Sequence, residues 1–280
     1  MKLPALIICT AMLASCQNNN APLVKSASKK KSGVSIPIVR TGAEGFYTGI
    51  FEATRYDDKK EVFDNQITIC IDSLDGSNLF GHSIVAGNDR AFTGTYVKKN
   101  DGYEVSVKEP GDDRYDGSFE FSITDRNKTV EGIWNANDRT MGVTARKYRL
   151  HRQAYVYDPA AQLPEDMVGQ LFYHSSRGEK VEAVNDDVIR LNASRKLLTS
   201  KDVENLYKGD LEVIRNAIYA RHGYSFRNPR MRTLFDNAIT WYMPVSTDVT
   251  SLLTDTEKKN ISLIKRYEAH AEKYYDVFGR

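Results

Sequence analysis

The chain has 280 residues, with Lys+Arg 39 against Asp+Glu 37 and a formal net charge of +2. A composition that is 41% hydrophobic and 27% charged excludes wholesale disorder, and near-neutrality excludes a broad electrostatic footprint for nucleic acid. The length suggests two domains, and 16 Tyr with 11 Phe promise aromatic-rich cores.

Met1-Lys2 carries one positive charge, and Leu3 to Leu13 is apolar except for Pro4 and Thr10. A membrane span needs ~20 apolar residues, so residues 1–15 read as a secretory signal instead. The tetrad Leu13-Ala14-Ser15-Cys16 resembles the lipobox of bacterial lipoproteins, with Ser15 a less common residue at its place. That resemblance implies cleavage before Cys16, diacylglycerol on its thiol and a further amide-linked chain such as palmitate. Several acyl tails anchor a protein stably where one is marginal, so a membrane partner through the lipid is expected. Cys9 leaves with the signal and Cys16 is lipidated, which leaves Cys70 alone and no intrachain disulfide. Residues 16–44 lack aromatic residues and periodicity and read as a flexible tether with a reach on the order of 30 Å. Lys29, Lys30 and Lys31 in it are read as solvated, with contact to anionic lipid as the alternative. Gln17 rather than Asp follows Cys16, so the expected location is the cell envelope, at the outer membrane.

From residue 45 to 152 the apolar pattern has a period of two. Tyr115, Gly117, Phe119, Phe121 and Ile123 are expected on one face of a strand, with Asp116, Ser118, Glu120, Ser122 and Thr124 on the other. Further strands are read at Tyr47–Ala53, Ile67–Ile71, Leu79–Val85, Phe92–Tyr96, Tyr103–Val107, Val130–Trp134 and Thr140–Tyr148. Asp75-Gly76, Asn100-Asp101-Gly102, Gly111-Asp112-Asp113, Asp125-Arg126-Asn127 and Asn137-Asp138 mark the turns. About eight short strands with tight connections predict an antiparallel meander, as a barrel or a sandwich. Glycines at 94, 117 and 132, each between apolar residues, favour the barrel because they permit sharp coiling. The layout resembles small lipocalin- or avidin-like barrels of envelope proteins, and no ligand motif comes with that resemblance. A barrel filled by its own aromatic side chains is preferred over an empty lumen. Cys70, among alternating isoleucines, reads as a half-buried, unreactive thiol.

Residues 153–193 form a connector, with Pro164-Glu165 starting a short helix and Arg177-Gly178-Glu179 a turn. Residues 194–280 are helical. Thr199-x-x-Asp202 predicts a capped helix to Tyr207, and a second runs from Asp210 to His222 with Gly223 as terminator. Asn228-Pro229 caps a third, and Thr254-x-x-Glu257 opens the last. The last has an apolar stripe of Ile261, Ile264, Tyr267, Ala271, Tyr274 and Phe278. The fold class is therefore α+β and multidomain: an antiparallel β-barrel of about eight strands, then a small helical domain.

The run Asp210-Leu211-x-x-Ile214-Arg215-Asn216-x-Ile218-Tyr219-Ala220-Arg221-His222-Gly223-Tyr224-x-Phe226 resembles the YARHG domain of bacterial extracytoplasmic proteins. Leu234-Phe235, Trp241-Tyr242-x-Pro244 and Leu253-Thr254-x-x-Glu257-x-x-Asn260-Ile261 keep that family's order, over about Ser194 to Glu268. Ala217 stands where the family often has an acid. The resemblance implies an envelope setting and brings no catalytic residues.

Arg215, Tyr219, Arg221, His222, Trp241 and Tyr242 are the candidate binding residues. Two readings compete for Arg221 and His222. Arg221 shares the apolar face with Ile214 and Ile218, so a guanidinium there needs a partner, expected to be a carboxylate of another helix. His222 falls in the last turn, where the helix dipole favours a cation. The alternative is a cation and aromatic cluster that binds an anionic envelope component. Trp241 and Tyr242 read as core or as a sugar-stacking platform.

No HExxH, CxxC, G-x-S-x-G, P-loop or G-x-G-x-x-G pattern occurs, so no metal, cofactor or catalytic residue is assigned. The expected function is a non-enzymatic envelope binding or scaffolding module, with peptidoglycan or another envelope component as partner. A hydrolase assembled across the barrel mouth and a small-ligand carrier remain the alternatives.

Overall fold

The computed structural model describes residues 42–60, 62–174 and 181–274. The signal segment, Cys9, Cys16, the tether up to residue 41, the turn expected at 177–179 and Phe278 lie outside the described residues.

The alternating segment folds into a closed antiparallel barrel in which each strand pairs with the next and the last with the first. Its strands are β1 (Gly45–Tyr56), β2 (Asn65–Asp75), β3 (Asn78–Val85), β4 (Asn88–Lys99), β5 (Gly102–Lys108), β6 (Gly117–Thr124), β7 (Thr129–Ala136) and β8 (Val143–Arg152). The chain is already held at its entry. Tyr47 Oη donates to the carbonyl of Ala43 at 2.8 Å, and the Arg152 guanidinium donates to the carbonyls of Gly42 and Glu44.

Period-two alternation sends one set of side chains inward, where they fill the barrel. Tyr47, Ile67, Ile69, Phe92, Val107, Phe119, Ile123 and Leu150 are buried there. Phe51 of β1 and Phe119 of β6 stack across the interior with centroids 6.4 Å apart. Trp134 and Tyr148 pack against Phe51, each at 5.8 Å. Ring pairs of this kind add ~0.5–1.5 kcal/mol each beyond the area they bury. Glycine allows the tight curvature. A Cβ on Gly94 would lie 2.1 Å from the carbonyl oxygen of Ser106, and one on Gly132 would lie 2.2 Å from that of Glu120. Neighbouring backbones cross too closely there for any side chain.

Tyr115 departs from the sequence expectation: it precedes β6 and is 50% exposed. The reason is Asp116, whose carboxylate accepts from the amides of Gly111 and Asp113 and pairs with Arg90 at 3.1 Å. That turn delays the strand to Gly117 and leaves the Tyr115 ring between the guanidinium groups of Arg90 and Arg114.

After the barrel, the described residues form an antiparallel strand pair, β9 (Leu171–His174) and β10 (Val181–Ala183), and five α-helices. These are α1 (Asp187–Arg190), α2 (Ser200–Val203), α3 (Lys208–Arg221), α4 (Pro229–Ala238) and α5 (Asp255–Tyr274). The capping signals act as their chemistry requires. Thr199 and Asp202 form a reciprocal capping box, and the Asn228 carboxamide oxygen accepts from the Arg230 amide at 2.9 Å. The helix expected from Thr199 to Tyr207 is a single turn, because Tyr207 is extended and serves as the N-cap of α3. On α5, Ile261, Ile264 and Ala271 are buried as expected, but Tyr274 is 60% exposed. Lys208, at the start of α3, pairs with Glu272, so α3 ends as a neighbour before Tyr274 is reached.

The described residues belong to one compact unit in which the β3–β4 turn meets the helices. Ala86 and Gly87 both have positive φ, the form that joins two strands with matching twist. The Gly87 amide donates to Ser225 Oγ at 2.9 Å, and Arg227 Nε donates to the Gly87 carbonyl at 3.2 Å. A side chain at Gly87 would strike Arg227. Among the described residues, no helix is long and apolar enough to cross a membrane.

Candidate functional site

The helical run of α3 buries Leu211, Ile214, Ala217 and Ile218 in the core and turns Arg215 and Tyr219, four residues apart, toward its rim. The helix stops at Gly223, whose φ of +72° is costly for other residues. The amides of Gly223 and Tyr224 donate back to the carbonyls of Ala220 and Tyr219, and this fold-back brings Tyr224 beside Tyr219. Their ring centroids are 6.0 Å apart at 55°.

The segment 247–250 lies opposite, and together these residues line an open groove of about 550 Å³. Asp248 braces that wall by accepting from the Thr250 amide at 2.9 Å. The Thr250 hydrogen bonds hold its carboxyl below the usual range. Arg215 Nε donates to the Glu268 carboxylate at 2.7 Å, which fixes the guanidinium at the groove edge. Burial raises the Tyr219 hydroxyl above its ordinary value, so it remains a neutral donor. The lining offers two ring faces, a fixed cation, the Asn216 amide and two threonine hydroxyls. Such a lining can stack on sugar or peptide planes and hydrogen-bond to their edges. It presents no paired nucleophile and base.

The other candidates sit elsewhere. Arg221, His222 and Tyr242 are buried, with exposures of 3%, 3% and 2%. Arg221 Nε donates to the Ala161 carbonyl at 2.9 Å, and its guanidinium lies over the Trp241 ring at 5.8 Å. Burial lowers the Arg221 guanidinium to about 10, while Glu257 and Asp158 act in the opposite direction. A carboxylate of another helix, Glu257 of α5, does act on Arg221 through its charge, while its direct ion pair is with His222, Nε2 to Oε2 at 2.8 Å. Trp241 is half-buried and donates to the Gln162 carbonyl at 2.6 Å. Tyr242 Oη donates to the Tyr224 carbonyl at 2.8 Å and so supports the groove from behind.

Two residues of the connector were missed by sequence reasoning. Tyr155 Oη donates to the Arg221 carbonyl at 2.7 Å. Tyr157 stacks on His222 at 4.2 Å and donates to Glu257 at 3.1 Å. Their alternation across Val156 was the available signal.

At the barrel mouth, Glu109 is buried and accepts from Ser83 Oγ, the Gly117 amide and Trp134 Nε1. Burial raises its carboxyl. Its bonds tie the end of β5 to β6 and β7, which is a structural task.

No curated protein matches the chain significantly. Residues 187–269 match the YARHG domain, so the match starts at α1, ahead of Ser194, and spans the groove-forming part of α3. The chain thus carries a closed eight-stranded antiparallel barrel followed by a YARHG domain.

Proposed function

We propose that this chain is a lipid-anchored module of the cell envelope that binds peptidoglycan or a related envelope component without turning it over. The observation that carries the reading is the Tyr219–Tyr224 groove, an open surface of the helical domain that presents two aromatic rings beside a fixed cation. The lipobox-like tetrad ending in Cys16 supports an outer-membrane anchor, and a tether beyond it gives the groove a high effective concentration near the wall. The barrel, of lipocalin- or avidin-like layout, serves in this reading as a filled scaffold. Its aromatic interior supports that role over a carrier's.

Two measurements test the proposal. Mass spectrometry of the purified mature N-terminus is expected to show acylated Cys16; an unmodified Cys16 removes the anchor. Co-sedimentation with purified peptidoglycan is expected for the wild type, with roughly tenfold weaker binding for Tyr219→Ala and Tyr224→Ala, as for aromatic hot spots. Both side chains are partly buried and pack against the domain core, so binding is compared once circular dichroism shows that each variant keeps the wild-type fold. Equal sedimentation of all three proteins overturns the groove. Release of muropeptide products replaces the binding module with a hydrolase.

A further inference from the structure

On the outer wall of the barrel, away from the groove, three side chains of metal-ligating type converge. Cys70 of β2 is the direct cross-strand partner of His82 on β3. In a regular ladder the next outward residue, Asp72, would lie one step farther along. The register slips here instead: Ile71 pairs with Gly81, and Ser73 with Phe80. Asp72 is the extra residue of a β-bulge, and bulges re-aim side chains. Its carboxylate accordingly turns back between the other two, with Oδ1 3.3 Å from Cys70 Sγ and Oδ2 3.2 Å from His82 Nδ1. One donor atom from each residue falls within 4.8 Å of the other two.

We propose that Cys70, Asp72 and His82 form a binding site for a divalent transition-metal ion, with zinc the best match. Metal–ligand lengths of about 2.3 Å to sulfur and about 2.0–2.2 Å to nitrogen and oxygen place tetrahedral ligands roughly 3.3–3.6 Å apart. The Asp72 contacts, at 3.3 and 3.2 Å, run to its two different oxygens, and a set with one atom from each residue spans up to 4.8 Å, so small side-chain rotations close it to that spacing. A thiolate and an imidazole disfavour calcium and magnesium, which take oxygen ligands. One thiolate and one carboxylate also neutralise a divalent charge, and the thiol proton leaves on binding. Cys70 is buried while Asp72 is exposed and His82 partly so, which gives the ion an entry path and an open fourth position toward solvent. A nucleophilic cysteine is the poorer reading, because Asp72 stands between the thiol and the imidazole that would take its proton. The 70, 72, 82 spacing has no familiar sequence signature, since the bulge and not the spacing assembles it.

The test is a cobalt(II) titration of the reduced full-length chain. The expected result is a thiolate-to-cobalt charge-transfer band that saturates at one equivalent and is displaced by zinc. Cys70→Ser, nearly isosteric, should abolish the band, which also shows that Cys9 and Cys16 do not produce it. Asp72→Asn and His82→Ala alter exposed or partly exposed side chains and should keep the wild-type circular dichroism. Each should weaken binding by about tenfold or more. A wild type without the band, a band that survives Cys70→Ser, or wild-type affinity in both other variants overturns the site.

Discussion

Replacing Glu257 by Ala should lower the unfolding free energy by about 3–5 kcal/mol, the usual loss when one partner of a buried ion pair is removed. Glu257 has no solvent exposure, and its carboxylate gathers His222 Nε2, Tyr157 Oη and both the amide and the hydroxyl of Thr254. Its removal strands the imidazole and the phenol. It also breaks the capping box that starts α5, where a lost cap costs about 0.5–2 kcal/mol by itself. For a folded unit of this size the melting temperature should fall on the order of 10 °C. Glu257→Gln, which keeps the shape and some hydrogen bonds, should fall less. The pH dependence follows with a definite sign. Burial alone would raise this carboxyl, but hydrogen bonds from His222, the Thr254 amide and Ser194 outweigh it and hold it at about 2, against an ordinary 4.5. A depressed acid contributes stability above its unfolded value and loses it as pH falls through the folded one. The wild type should therefore lose stability between about pH 4.5 and 2, and Glu257→Gln should be flatter across that window. Thermal melts of Glu257→Ala within 2–4 °C of wild type, worth only about 1 kcal/mol, would show that the network carries no weight.

Local chemistry made much of the architecture legible, and non-local partnership set its limit. Isoleucines at 67, 69 and 71 face inward because strand periodicity leaves them no other face, and Asn228-Pro229 starts α4 because capping acts within one turn. Tyr115 continued the same alternation and still lies in a turn, because the buried Asp116–Arg90 pair reaches across from β4. Arg221 followed the rule that a buried guanidinium must be satisfied, and Glu257 of α5 does act on it through its charge, but the directional contacts go elsewhere. The Ala161 carbonyl and the Trp241 ring take them, because His222 and Tyr157 already occupy Glu257. Half of the groove was visible in the 3.6 period, which puts Arg215 and Tyr219 together. The other half was not, since Tyr224 and the segment 247–250 arrive through the turn at Gly223 and a return of the chain. The same limit hid the Cys70, Asp72 and His82 cluster, whose members come from two strands and a register slip.

Asp236 should give the opposite pH response. It lies on α4 where that helix packs on the barrel, 7% exposed, and one carboxylate oxygen, Oδ2, has no hydrogen-bond partner among the described residues. Burial raises its carboxyl to about 7 from an ordinary 3.8, against the lowering effects of the Gln66 amide and Arg232. Arg232 is itself partly buried, with no hydrogen-bond partner for its Nε among the described residues, and Arg146 nearby donates to the carbonyls of Phe51 and Phe63. An acid with a raised folded value binds its proton more tightly when folded. Its stabilising contribution is complete below about pH 3.8 and declines as pH rises toward about 7. A shift of this size corresponds to a change on the order of 4 kcal/mol across that range. Denaturant melts should therefore show the wild type more stable at mildly acidic than at mildly alkaline pH, above the separate acid limb of Glu257. Asp236→Asn, which cannot titrate, should flatten that slope while keeping the cooperative transition. Glu109, another buried acid with a raised carboxyl, contributes in the same direction, so Glu109→Gln in the Asp236→Asn background separates the two. If Asp236→Asn keeps the wild-type slope from pH 4 to 8, the carboxylate is ionised and solvated at the barrel–helix contact, and the buried acid is not the source of the pH response.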